Sequence, residues 1–148
     1  TTPGCQRQPA GLPPGVGAGD VGDYLAVVGD AGHGGLLAAF RRAAGPGRPP
    51  VVVLPVPDAG GALPAARRSD HASFWDVGVG AVMVTDTADF RAPARYHTAR
   101  DTADSLDVEF FVGATRLAAV AVGDLLGAPL RPASPRSGPA PSRPPGAP

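Results

Sequence analysis

Asp23-Tyr24-Leu25-Ala26-Val27-Val28, the glycine-rich run Gly29 to Gly35, Leu36 to Ala44 and then Val51-Val52-Val53-Leu54 form the stretch on which the fold turns. The first piece is an apolar run of strand length, and the third has helical spacing and length. The last is an uninterrupted β-branched run of the kind found in strands covered on both faces. Pro49 and Pro50 lead into it, and Pro55 and Pro57 are expected to end it. The order is therefore strand, turn, helix, strand.

Further along, Asp70 to Val77 reads as a short helix with Ser69 or Asp70 as its cap, and Gly80 to Thr85 reads as a third buried strand. Asp86 to Asp104 is polar and reads as a loop. Val108, Phe111, Val112, Thr115, Leu117, Ala118, Val122 and Leu125 fall near a 3.6-residue period behind a capping Asp107, which predicts the clearest helix of the chain. Strands alternating with helices predict an α/β fold, a three-layer sandwich about a mixed, largely parallel sheet. Three strands are few for a doubly covered sheet, so these elements are expected to be the C-terminal part of the fold, with the rest of the sheet upstream.

The chain has 148 residues, with 19 prolines and 21 glycines crowded toward both ends. Residues 1–19 read as a surface loop of a larger domain, 20–127 as the part able to pack, and 128–148 as a disordered proline-rich tail. Acidic and basic side chains balance at 13 each, and every basic one is arginine. That balance points to neither a nucleic-acid face nor an acidic tail. The single cysteine, Cys5, forms no internal disulfide and no metal knuckle. No apolar run approaches the ~18–20 residues needed to span a membrane, so a soluble chain is expected. Its localisation and oligomeric state are not encoded in any recognisable signal.

The chemically useful side chains gather in two segments: Arg67-Arg68-Ser69-Asp70-His71 before the third strand, and Tyr96-His97 with Asp101 after it. Ligands of open α/β sheets sit beyond the carboxyl ends of strands, and the 86–104 loop is expected to leave from such an end. A neutral imidazole there is a good zinc ligand, and a phenol or guanidinium can hydrogen-bond a developing oxyanion. The bland alternative is a loop capped by its own Thr and Asp side chains. Spacing leaves both open. His33, between Gly32 and Gly34, reads as structural or solvent-facing. The glycines near residues 15–20 and 29–35 fail the dinucleotide and phosphate-loop patterns, and no serine-hydrolase elbow or His-Glu-x-x-His helix occurs.

Arg68-Ser69-Asp70-His71-Ala72-Ser73-Phe74-Trp75, Val77-Gly78-Val79-Gly80-Ala81 and Tyr96-His97-Thr98-x-x-Asp101-Thr102, in this order, resemble metallopeptidase family twenty-eight, the co-catalytic zinc aminopeptidases. The resemblance runs from about Gly22 to the end of the last helix. It implies an α/β sandwich, two zinc ions, and a peptide substrate with a free N-terminus. It implies His97 as a zinc ligand, Tyr96 as the donor to the oxyanion, and Arg68 as an arginine directed at the same intermediate. Asp70, His71 and Asp101 are implied as supporting residues that orient ligands through hydrogen bonds. The family's other ligands and its general-base glutamate come from earlier segments, and no glutamate precedes Glu109. The chain alone is therefore expected to be inactive and to hold zinc weakly. Where the family has Asn-Pro-His before Tyr-His, this sequence has Ala92-Pro93-Ala94-Arg95. Two rival functions stay open: a non-catalytic interaction domain of the same fold, and a single-zinc glutaminyl cyclase-like acyltransferase.

Overall fold

A computed structural model describes residues 6, 7, 21–86, 90 and 95–127. The expected loop over 1–19 falls almost wholly, and the expected tail over 128–148 wholly, outside the described residues. Three strands and three α-helices alternate: β1 (Leu25–Asp30), α1 (Gly34–Arg42), β2 (Val51–Val56), α2 (His71–Asp76), β3 (Val82–Thr85) and α3 (Val108–Leu125).

The described sheet has the order β2-β1-β3. β1 and β2 are parallel, with Val27 opposite Val53, as a strand–helix–strand crossover requires. β3 is antiparallel to β1, with Ala26 opposite Thr85 and Gly29 opposite Val82. The sheet is thus mixed.

Alternate residues serve opposite faces, the period of a strand. Leu25 and Val27 pack with Leu37 and Phe40 of α1 and Leu117 and Ala121 of α3; Val51, Val53 and Val82 join them. Val28, Leu54 and Val56 pack on the other side with Ala66 and Trp75, backed by Leu63, Ala81 and Met83. Helices α1 and α3 form one outer layer, and α2 with the turns before it forms the other. The expected three-layer arrangement follows from these two apolar clusters.

Element boundaries shift for local reasons. β1 runs on through Gly29 and Asp30, because a Cβ at Gly29 would sit 2.8 Å from Leu37 Cδ2 and 2.9 Å from Val82 Cγ1. Only glycine lets α1 and β3 close on that strand end. Pro55 does not end β2: it lies within the strand, exposed, and β2 is an edge of the described sheet, where a missing N–H costs no ladder bond. Asp70 occupies the cap position of α2 but makes no capping bond, whereas Asp107 caps α3 by accepting from the Phe110 N–H at 3.0 Å. A forked Arg42–Asp124 pair, Nε at 2.9 Å and Nη2 at 2.5 Å from Oδ2, ties α1 to α3.

α3 buries Gly113, Leu117 and Ala121, which succeed one another every fourth residue along a single line. Of the residues whose spacing announced the helix, only Leu117 is buried; Val108, Phe111, Val112, Val122 and Leu125 are exposed. The period is helical, and most of its large side chains lie on the outer side. No helix among the described residues is long and apolar enough to cross a membrane.

Candidate functional site

The segment before α2 is built around His71. A turn over Pro64–Arg67 leads into α2, and the His71 ring is buried at its start. Its Nε2–H donates to the Ala66 carbonyl at 2.7 Å, while Nδ1 is enclosed with no hydrogen-bond partner among the described residues. The ring meets Trp75 edge to face at 4.6 Å between centroids, and the Trp75 indole N–H donates to the Ala81 carbonyl at 3.0 Å. This set of contacts pins the turn, α2 and the approach to β3 together. Arg67 reinforces it by donating to the Ala59 carbonyl and to Asp76 at 2.6 Å. Arg68 points elsewhere: it is exposed, with its guanidinium carbon 6.0 Å from the centre of the Phe90 ring. That is the outer range of a cation–π contact. Asp70 is exposed beside it.

Residues 95–102 form a second unit. Tyr96 and His97 are exposed, their rings stacked 4.0 Å apart and inclined by 19°. His97 has φ +58°, a left-handed conformation that costs a non-glycine residue roughly 1–2 kcal/mol. Local bonds hold the turn around it. The Thr98 hydroxyl donates to the Arg95 carbonyl at 2.6 Å and accepts from the Arg100 N–H at 3.2 Å. The Asp101 N–H donates to the Thr98 carbonyl at 3.1 Å, and the Thr102 hydroxyl donates to Asp104. The Thr side chains thus cap the loop, as one of the two open alternatives required.

Because β3 is antiparallel, its carboxyl end lies beside the start of β1. The 86–104 loop does leave from a strand's carboxyl end, that of β3, but this end lies opposite to the one where β1 and β2 finish. Ala66 and Trp75, which flank Arg67 to His71, pack instead with Leu54 and Val56 of β2. Arg68 reaches the 86–104 loop at Phe90, a residue that the sequence singled out for nothing. Ala92, Pro93 and Ala94 lie outside the described residues.

The sequence named no partner for His33. Asp30 and His33, three apart, meet at 2.7 Å between Oδ2 and Nδ1, and Asp30 also accepts from the Gly32 N–H at 3.2 Å. The His33 hydrogen bond, then the Gly32 one, hold the Asp30 carboxyl below its ordinary 3.8. The His33 ring lies over Gly80, where a Cβ would come within 2.5 Å of it. This is a structural clasp between the end of β1 and the approach to β3. A cleft of about 280 Å³ at the start of α3, lined by Asp23, Arg48, Asp107 and Glu109 among others, includes none of the candidate residues.

Residues 16–122 match the sequence model of Peptidase family M28. The chain belongs to this family. No curated protein and no solved structure matches it. Membership makes this a peptidase-family domain, and the residues of an M28 site can be tested against the geometry. The zinc that membership implies needs about three protein ligands at a catalytic site and four at a structural one. Among the described residues no group of three or more His, Cys, Asp or Glu side chains is placed to hold a metal ion. His97 stacks on Tyr96 rather than on a second donor, and the His71 Nε2 is committed to a backbone carbonyl. The described residues do not fit zinc by themselves.

Proposed function

We propose that these residues are the C-terminal part of an aminopeptidase domain of family M28, in which His97 is one zinc ligand and the remaining donors and the general base belong to other segments of the domain. Tyr96 and Arg68 are the groups assigned to the substrate carbonyl, and Asp70, His71 and Asp101 are assigned to holding the loops in place. The substrate is a peptide with a free N-terminus. The observation that carries this reading is the family match over residues 16–122 together with Tyr96-His97-Thr98 and Asp101-Thr102 on an exposed, locally braced turn. No hydrolytic step is assigned to the described residues, because they do not assemble a metal site.

Zinc stoichiometry tests the reading directly. The purified 148-residue chain, loaded with zinc and dialysed against a chelator, is expected to retain far less than one equivalent and to leave aminoacyl-nitroanilide substrates uncleaved. A full equivalent that resists the chelator, or steady hydrolysis, overturns the assignment of the missing ligands to other segments.

A further inference from the structure

Phe90 joins three parts of the chain that lie far apart in sequence. Its carbonyl accepts from the Arg7 N–H at 2.6 Å, and its half-buried ring lies beneath the Arg68 guanidinium, whose carbon is 6.0 Å from the ring centre. Residues 6 and 7 are seated well enough to serve as a support. Gln6 is buried, 7% exposed, and its side-chain N–H donates to the Arg7 carbonyl at 2.8 Å. Sheltering a polar side chain from water is unfavourable unless it is hydrogen-bonded; this bond offsets that cost beside the N–H that reaches Phe90.

The two neighbouring arginines diverge. Arg67 bonds the Ala59 carbonyl and Asp76, which ties its turn to α2, whereas Arg68 reaches across to the 86–104 loop. That loop needs an anchor. The hydrogen bonds that shape residues 95–105 join the segment to itself: Thr98 with Arg95 and Arg100, Asp101 with Thr98, and Ser105 with Thr102. They fix the form of the Tyr96–His97 turn and leave its position to the residues on either side. On one side stands α3, capped by Asp107, and on the other stands Phe90. An aromatic ring holds a guanidinium without taking any of its N–H donors, which a carboxylate partner would take, so a ring suits an arginine that must also reach a further group.

We infer that Phe90 is a positioning residue: braced by Gln6 and Arg7, its ring sets Arg68 against the loop that carries Tyr96 and His97. What Arg68 and that turn are placed for rests on the peptidase reading, but the placement is measured without zinc or substrate, so either can fail alone. Phe90→Leu keeps apolar bulk and removes the ring. In the 148-residue chain it is expected to speed the modification of Arg68 by phenylglyoxal, followed by peptide mass mapping, about two- to fivefold, the weight of one exposed cation–π contact. Arg116, exposed on α3, serves as the unchanged reference, and Phe90→Tyr is expected to restore the wild-type rate. The ring signals of Tyr96 and His97 in the NMR spectrum are expected to move in Phe90→Leu and in Arg68→Gln alike, and no further in the double variant. Arg68 is exposed, so Arg68→Gln carries this second measurement should Phe90→Leu lose its far-UV circular dichroism. An Arg68 rate that Phe90→Leu leaves unchanged, or that Phe90→Tyr fails to restore, overturns the inference, and so do Tyr96 and His97 signals that do not respond to Arg68→Gln.

Discussion

Replacing Leu117 with alanine is the sharpest test of how α3 is seated. Leu117 is fully buried, enclosed by Leu25 and Val27 of β1 and Leu37 and Phe40 of α1. The substitution strips three carbons, and at about 0.8 kcal/mol for each methylene the transfer loss is roughly 2.4 kcal/mol. A void between a strand and a helix fixed on both sides collapses little, so the cost is expected near the middle of the ~2.7–5 kcal/mol span measured for such changes. For a domain whose whole stability is about 5–15 kcal/mol, that loss lowers the melting temperature by ten degrees or more. Urea unfolding followed by circular dichroism and by fluorescence measures it. Trp75 is the sole tryptophan and lies in the core on the other face of the sheet, so coincident transitions also show that both faces unfold together. Val122→Ala, one turn on and outward-facing, is expected to change stability by no more than about 0.5 kcal/mol. A cost below about 1 kcal/mol at Leu117, or an equal cost at Val122, would refute the assigned inward face.

Gly60→Ala is expected to cost about 1–3 kcal/mol, because φ there is +82° and a Cβ would lie 2.9 Å from Arg67 Cγ; an unchanged urea midpoint would show that the turn after β2 is not held as described. Asp30→Asn is expected to be destabilising at neutral pH and to converge on the wild type in acid. The folded carboxyl titrates below its unfolded value, so its contribution is full above the ordinary 3.8 and fades as pH falls through the lower folded value. Unfolding midpoints measured across that range check the convergence.

The strand–helix–strand core was legible because its apolar runs have lengths and spacings that few other structures accommodate. The direction of β3 was not. A period of two says which side chains share a face and nothing about whether the chain runs up or down, and the reversal is made by α2 and the glycine-bearing turn at Gly78 (φ +75°). Pro55 was misread because a proline is barred from a central strand but not from an edge, and edge position is a tertiary fact. On α3 the sequence offers no polar side to mark the outside. The buried line is Gly113, Leu117 and Ala121, two of them small because neighbours approach closely. At Gly113 a Cβ would stand 3.1 Å from Pro49 Cδ. Apart from Leu117, the bulky residues that announce the helix are the ones left outside.

The two histidines of the motifs looked alike in sequence and differ in everything that decides their use. His71 is enclosed, bonded to Ala66 and braced by Trp75, so its identity is accounted for by the contacts that join α2 to the sheet. His97 is exposed, and none of the bonds that shape its turn is made by its imidazole. Thr98 and Thr102 brace the loop, and neither needs a histidine between Tyr96 and Thr98. The left-handed backbone at His97 adds a cost that a glycine would not carry. Sequence spacing set a capped turn against a metal ligand as alternatives, yet on our reading they are two layers of one device: the threonines make the turn, and the turn holds out His97. The same reading accounts for why a single candidate donor was legible and a whole site was not. Each donor of a shared metal centre comes from a separate loop at the end of a separate element, so a single loop can carry its own donor in full detail and still leave the metal unheld.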